Sequence, residues 1–290
     1  MSSPPSCSRP TDNNGRETLM AARIALIGFG EVGGIFAADL KAAGASDIAI
    51  YDLKLDDPAL APAMRDKAAA ANVRVAASVA DVMAGMDIVI SAVTASSVLD
   101  VARAAAPHLV AGQIFFDVNS ASPETKRTAA GIVEAGGAHY VEGAVMAPVP
   151  APRLRVPILA GGPKAEAIVE VLNALGMNAR AVSQTHGRAS AMKLCRSIMI
   201  KGIEALIIDC ARSAKAWDVE AEVFGSLQDT FPGVDFAKLA ATMAGRVEQH
   251  GVRRAAEMRE AADMVADLGF NDALVRAVAE AQERGALPRA

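Results

Sequence analysis

From Arg23 onward, short apolar runs of strand length alternate with Ala-rich stretches of helical length. Residues 24–28, 47–52, 73–76, 87–93 and 113–118 read as five strands, each close to continuously apolar. That pattern belongs to a parallel sheet covered by helices on both faces. Residues 32–43, 59–71, 78–84 and 96–106 read as the helices between them. The alternation predicts right-handed crossovers and a doubly wound, Rossmann-type α/β sheet. Ser122 and Pro123 then supply a hydroxyl cap and a proline at the first helical position, opening a helix that ends near Gly136 and Gly137. Strand 139–145 follows, then a Pro-rich loop over 147–152, too poor in N–H donors for a central strand. Strands 156–160 and 179–183 flank a helix over 164–175.

Beyond residue 185 the strand signal stops. Residues 189–215 read as one long helix, with Met192, Cys195, Met199, Ile203, Leu206 and Cys210 recurring at three- and four-residue steps and Ile198, Ile200 and Ile207 on its other faces. A helix apolar nearly all round is expected to be buried. The reading therefore places it at a domain or subunit interface and expects a homodimer or higher homo-oligomer. Further helices are predicted over 218–230, 235–249, 252–267 and 271–284. The resulting plan has a disordered segment over 1–20, an α/β domain over 21–185 and an all-α domain for substrate and dimerisation over 186–290.

Composition narrows the function classes. The 290-residue chain is 52% hydrophobic and 21% charged, a globular balance, while aromatics make up only 4%, so aliphatic side chains must build the core. A formal net charge of −4 gives no electrostatic reason to hold nucleic acid. Cys7, Cys195 and Cys210 are odd in number and form no Cys-x-x-Cys pair, which fits a reducing cytoplasm and argues against a disulfide framework or a cysteine zinc site. The histidines are scattered, so no metal site is expected. The most apolar stretch, 198–211, is interrupted by Lys201, Glu204 and Asp209, short of the roughly 18 apolar residues of a membrane span. A cytoplasmic protein without a membrane partner is expected. The first residues lack the apolar stretch of a secretory signal, and Met20 is an alternative start.

The chemistry-bearing motifs lie at the ends of predicted strands. Gly28-Phe29-Gly30-Glu31-Val32-Gly33 follows the first strand and opens the first helix. In that setting Gly28 makes the tight turn, Gly30 lets a pyrophosphate approach, Gly33 lets helix and strand pack closely, and the helix N-terminus offers N–H groups to the anion. Asp52 ends the second strand about 20 residues on, where an acid accepts hydrogen bonds from the adenosine ribose and disfavours a 2′-phosphate. NAD is the expected cofactor, with NADP admitted by Lys54 two residues further. Val93 and Thr94, ending the fourth strand, are placed along the dinucleotide or in simple packing. Asn119 and Ser120, after the fifth strand, are placed either to hydrogen-bond a substrate or to shape the turn.

On the long helix Lys193, Ser197 and Lys201 are spaced by four, one polar stripe beside the apolar one. Lys193 is either the catalytic group or a lysine reaching water from the helix start. His250, Arg253 and Arg254 precede Glu257 and Glu260. The spacing of Arg253 and Glu257 reads as a solvated surface pair, the alternative being an arginine that clamps an anionic substrate.

Taken in order, GFGEVGG, DIVISAVTASS, DVNSASPET and GRASAMKLCRSIMIKG resemble the β-hydroxyacid dehydrogenases, the group of 3-hydroxyisobutyrate and 6-phosphogluconate dehydrogenase. The resemblance runs from Ile24 to about Lys201 and more loosely to the C-terminus. It implies a nicotinamide cofactor on the first domain, a general acid-base lysine at Lys193, and substrate contacts from Asn119, Ser120 and Ser197. Two departures mark a divergent branch. Met146-Ala147-Pro148 stands where the family commonly has Ser-Gly-Gly, and Ser197 where it commonly has Asn. The first departure implies a more apolar pocket wall and a substrate with an apolar part. The reading is thus an NAD(P)-dependent oxidoreductase moving a hydride between the cofactor and the CH–OH/C=O carbon of a hydroxy acid. An imine reductase and a non-catalytic dinucleotide-binding protein are the alternatives.

Overall fold

The computed structural model describes residues 22–286, so the segment read as disordered, the alternative start and Cys7 lie outside the described residues. Two compact units form. One holds the described residues up to Asn119 together with Ala129–Thr185; the other holds Ser120–Thr128 and the described residues from His186 onward. The sequence reading drew a single cut at 185/186 and so put residues 120–128 with the sheet. The structure groups them with the helices.

The first unit is an eight-stranded sheet in the order β3-β2-β1-β4-β5-β6-β7-β8. Its strands are β1 (Arg23–Ile27), β2 (Asp47–Tyr51), β3 (Arg74–Val75), β4 (Ile88–Ser91), β5 (Ile114–Asp117), β6 (His139–Val145), β7 (Pro157–Gly161) and β8 (Asn178–Ser183). Helices α1 (Glu31–Ala42), α2 (Ala61–Ala70), α3 (Val79–Met83), α4 (Val98–Ala105), α5 (Pro123–Ala135) and α6 (Ala165–Ala174) connect them. The first six strands are parallel neighbours, as the apolar runs predict, whereas β7 pairs antiparallel to β6 and β8 parallel to β7. The link from β6 to β7 contains only a 3₁₀ turn, Arg153–Arg155, and no α-helix to carry a crossover, so the chain returns beside the strand it left. Ile24, Leu26, Ile48, Ile50, Phe115 and Phe116 fill the interior. Tyr140 is fully buried, stacks on Phe115 and donates its hydroxyl to Asp117 at 2.6 Å.

The second unit is built on α7 (Arg188–Ala216), α8 (Glu220–Thr230), α9 (Phe236–Asp267) and α10 (Ala273–Ala286). The two helices expected over 235–249 and 252–267 are one continuous helix. Gly251, which reads as a break, instead lets α10 come close: a Cβ there would run into the Gln282 carbonyl and the Ala286 side chain. Leu194, Met258, Ala261, Ala262, Val275 and Val278 make the main cluster, and Ile208, Met243 and Val247 a smaller one.

The long helix departs from its sequence reading in a second way. Met192, Met199, Ile203 and Leu206, most of the apolar stripe, are exposed on the chain, and so is Cys195. The buried face carries Leu194, Ser197, Lys201, Glu204, Ala205 and Ile208. Three polar side chains on that face need partners. For Glu204, whose side chain is 1% exposed, the partner is Arg254 on α9. Gln282 on α10 completes the set, accepting from Arg254 at 3.2 Å and donating to Glu204 at 3.3 Å and to the Lys201 carbonyl at 3.2 Å. Among the described residues no helix is long and apolar enough to cross a membrane.

Removing one member of a buried ion pair strands the other charge, which costs about 3–5 kcal/mol. Arg254→Ala is therefore expected to lower unfolding stability by that amount in urea titrations. A loss below about 1 kcal/mol would show that Glu204 is compensated without Arg254.

Candidate functional site

In the first unit the candidate cofactor site is the turn from β1 into α1. Gly28 has φ +93°, and a Cβ on it would meet the Ala92 backbone and the Val93 side chain at 2.8 Å. A Cβ on Gly33 would run into the Gly28 carbonyl oxygen. These two glycines seat the turn against β4 and bring α1 onto it. Gly30 is different: a Cβ there would meet nothing within 4 Å. It is also the N-cap of α1, and no side chain caps the helix. The first-turn N–H groups over Glu31, Val32 and Gly33 are thus free of side-chain acceptors above an open backbone, which fits the pyrophosphate of a dinucleotide.

Asp52 stands at the end of β2, beside this turn. One carboxylate oxygen accepts from Phe29 N at 2.7 Å and the other from Lys54 N at 3.0 Å. The acid is thereby fixed against the glycine-rich turn, with lone pairs remaining for ribose hydroxyls. Val93 and Thr94 lie just beyond β4, which ends at Ser91 rather than at Val93 as read from the sequence. The Val93 N–H donates to Asn119 at 2.6 Å, and the exposed Thr94 hydroxyl lies 3.0 Å from Ser96 and Ser97. Asn119 is 5% exposed, and its amide also donates to Ser91 at 3.0 Å and Asp117 at 2.6 Å. The geometry gives Asn119 the turn-shaping role: it ties the ends of β4 and β5 together.

A second candidate cluster lies within the helical unit. Ser122 caps α5, accepting from Thr125 N at 3.2 Å, and its own N–H donates to Glu260 at 2.7 Å. This anchors the segment that carries Ser120. Lys193, half-buried in the first turns of α7, donates to the Ser120 hydroxyl. One turn on, Ser197 donates to Glu257 at 2.5 Å; one further turn on, Lys201 donates to the same carboxylate oxygen at 2.9 Å. The predicted polar stripe is therefore real, and Glu257 of α9 is what it faces. The surface pair read for Arg253 and Glu257 is corrected, because the Glu257 side chain is only 10% exposed and pairs across to Lys201. Arg254 is committed to Glu204, while Arg253 is exposed and acts on Lys193 through charge alone.

The electrostatics follow from burial. Desolvation brings the Lys193 ammonium down to about 8, with Lys126, Lys201 and Arg253 pushing the same way and Glu257 opposing. Desolvation lowers Lys201 too, against the pull of Glu257. Burial pushes the Glu257 carboxyl up, but the ammonium groups of Lys193 and Lys201 and the bonds from Ser197 and Lys201 outweigh it and hold it at about 2. Burial raises Glu260, the acid on Ser122. The cluster is thus a carboxylate that stays charged beside an amine able to give and take a proton near neutral pH.

The structure brings Lys193, Ser120 and Ser197, which the sequence reading singled out, together with Glu257, which that reading left on the surface. The signal for Glu257 was indirect. Ser197 and Lys201 on a buried helix face require an acceptor on a facing helix, but one sequence does not say which acid supplies it. Lys126 is fully buried on α5, between the half-buried Thr125 and the exposed Arg127.

Comparison with known proteins agrees with this geometry. Residues 23–186 match the family described as the NAD binding domain of 6-phosphogluconate dehydrogenase, and residues 214–285 match a domain of unknown function (DUF1932). A conserved hypothetical protein from Sinorhizobium meliloti 1021 is 42% identical, with 91% of this chain and 88% of that one covered and a TM-score of 0.80. A conserved protein of unknown function, described as structurally similar to 3-hydroxyacid dehydrogenases, is 30% identical over 91% of this chain and 96% of its own, with a TM-score of 0.75. The fold is also that of Mycobacterium tuberculosis 3-hydroxyisobutyrate dehydrogenase, at 19% identity, 91% and 93% coverage and a TM-score of 0.75.

Asn119→Ala tests the structural assignment of that residue. It leaves the Val93 N–H without its acceptor and removes the side-chain amide bonds to Ser91 and Asp117, so it should cost about 1–3 kcal/mol of stability. An unchanged denaturation midpoint would return Asn119 to a substrate-binding role.

Proposed function

Because the chain belongs to the 6-phosphogluconate dehydrogenase-type NAD-binding family, as a divergent 3-hydroxyacid dehydrogenase-like branch with its own helical C-terminal domain, we propose that it is an NAD(P)-dependent dehydrogenase acting on the CH–OH carbon of a hydroxy acid. One observation carries the reading: a half-buried lysine, bonded to Ser120, whose ammonium is brought to about 8. What the nicotinamide supplies when bound is the hydride acceptor or donor. The chain supplies the rest. In oxidation the neutral Lys193 amine takes the hydroxyl proton as the carbinol C–H bond is lost and C=O forms. In reduction its ammonium returns that proton to the carbonyl oxygen. Ser120 orients the Lys193 amine. Lys193 and Lys201 share the Glu257 carboxylate, and Arg253 adds positive charge nearby, which suits a substrate carboxylate. Asp52, fixed by Phe29 N, favours free ribose hydroxyls, so NAD is the preferred cofactor and NADP the weaker one. Met146 is half-buried and Ala147 and Pro148 are exposed, an apolar surface suited to a substrate with an apolar part.

The test is a screen of hydroxy and oxo acids with NAD(H) and NADP(H), followed by Lys193→Ala. General acid-base catalysis is typically worth 10²- to 10⁴-fold, so the variant should lose at least about 100-fold in kcat while keeping NADH affinity. Lys193→Arg should not rescue it, because guanidinium does not release a proton near neutral pH. For oxidation, kcat/KM should rise with pH through about 8, since the neutral amine is the base; for reduction it should fall through the same value. Glu257→Gln removes the charge that supports the ammonium, so both limbs should move to lower pH. Turnover of imines without any hydroxy acid would replace the reading with imine reduction. NADH binding without turnover would leave a non-catalytic binding protein.

The same proposal includes a homodimer. Met199 and Leu206 on α7 are 63% and 71% exposed on a helix whose opposite face is already packed. A second copy of the chain covers such a stripe by two-fold symmetry. Light scattering should give about 60 kDa, twice the 29.9 kDa chain, and a monomer at low micromolar concentration would remove the claim.

A further inference from the structure

The glycine-rich turn reads GFGEVGG, one glycine longer than the dinucleotide pattern requires. The extra residue, Gly34, faces neither β4 nor Gly28. A Cβ on it would lie 2.5 Å from Lys67 Nζ and 2.6 Å from its Cε. Lys67, on α2, crosses the start of α1 at this point. Its ammonium donates to the Phe29 carbonyl at 2.7 Å and to the Gly30 carbonyl at 2.6 Å, and it lies 4.5 Å from the centre of the fully buried Phe29 ring.

We infer that Lys67, admitted by Gly34, is a cofactor-site residue that prepares the glycine-rich turn for the pyrophosphate of the dinucleotide. The inference rests on the nicotinamide cofactor assigned above. Carbonyl oxygens of the turn carry partial negative charge and oppose an incoming anion. Lys67 gathers two of them onto one cation. That offsets their charge and leaves the α1 N–H groups as the dominant dipoles at the open face of Gly30. The lysine itself is an exposed residue, and two of its three N–H donors are spent on the carbonyls. The third donor and the net charge stay available to a phosphate. Asp52 and Glu31 support the ammonium electrostatically, while burial and Lys54 weaken it.

The obstacle a methyl group would meet at Gly34 is the tip of a flexible side chain, so Gly34→Ala should displace Lys67 and spare the fold. NADH fluorescence titration of wild type, Lys67→Met, Lys67→Gln, Gly34→Ala and the Gly34→Ala/Lys67→Met pair tests this, with Tm measured for each. Lys67→Met should bind NADH roughly tenfold more weakly, the scale of one partly screened unit charge. Gly34→Ala should show a similar loss, and the double variant no further loss, because both changes remove one interaction. Lys67→Gln keeps an N–H for a carbonyl but not the charge. It too should bind weakly, and its affinity should vary less with salt than that of wild type. NADPH should lose affinity by the same factor as NADH, since the pyrophosphate is common to both. Wild-type affinity in Lys67→Met and Lys67→Gln overturns the inference, as does a loss confined to NADPH. Falling Tm with unchanged affinity also overturns it, by making Lys67 a packing residue. If wild type binds neither NADH nor NADPH, the cofactor assignment fails and this inference with it.

Discussion

Glu257 is one carboxylate facing two ammonium groups, and the helical unit is organised around it. Lys193 and Lys201 sit two turns apart on α7, and neither reaches an acid on its own helix among the bonds described. Bringing α9 against that face supplies the acid. The cost of desolvating three charges is offset only because both Lys201 and Ser197 bond the same oxygen and Lys193 lies within its field. The arrangement leaves an excess of positive charge. That excess, with burial, separates Lys193 from an ordinary lysine. An ion pair that fully satisfied Lys193 would hold it protonated and useless as a base. Here its hydrogen bond goes to the neutral Ser120 hydroxyl, and Glu257 moderates the shift without cancelling it.

The same economy appears in the sheet unit. Gly28 and Gly33 exist for close approach, Gly30 for open space, and Gly34 for a lysine that comes from another helix. Four glycines in seven residues thus answer three different steric demands. Asp52 and Lys67 hold the turn from opposite sides, the acid on the Phe29 N–H and the ammonium on the Phe29 carbonyl. Asp52 thus holds the Gly28–Phe29 peptide and Lys67 the two peptides that follow it, so the loop is ordered before a cofactor arrives, and less entropy is lost on binding.

What the sequence made legible was whatever a local pattern encodes. The strands were visible as apolar runs, the α5 cap as Ser122-Pro123, the dinucleotide turn as glycines between strand and helix, and the polar stripe of α7 as a spacing of four. What stayed hidden depends on which element packs against which. Gly251 looks like a helix break until α10 is known to cross there. Glu257 looks like the surface partner of Arg253 until α9 is known to turn it toward Lys201. Lys67 lies in an ordinary Ala-rich helix, and no periodicity distinguishes it from a solvated lysine. The reversal of β7 was missed for a related reason. Alternation counts elements, but the direction of a strand depends on whether its link holds a helix.

The long helix shows why such pairings can invert a pattern. By hydropathy its Met and Ile stripe belongs inside and its Lys and Ser stripe outside. The fold does the reverse, burying Ser197, Lys201 and Glu204 and exposing Met199 and Leu206. Burying the polar stripe is tolerable because Glu257, Arg254 and Gln282 meet it, each bond replacing one to water. Exposing the apolar stripe has no such compensation among the described residues, since no hydrogen bond offsets apolar surface left in water. The two faces of α7 therefore make different demands. The polar face is satisfied by the chain's own α9 and α10, and doing so builds the proton-handling cluster. The apolar face has no such cover among the described residues, and the proposed second copy would supply it on the same helix that carries Lys193.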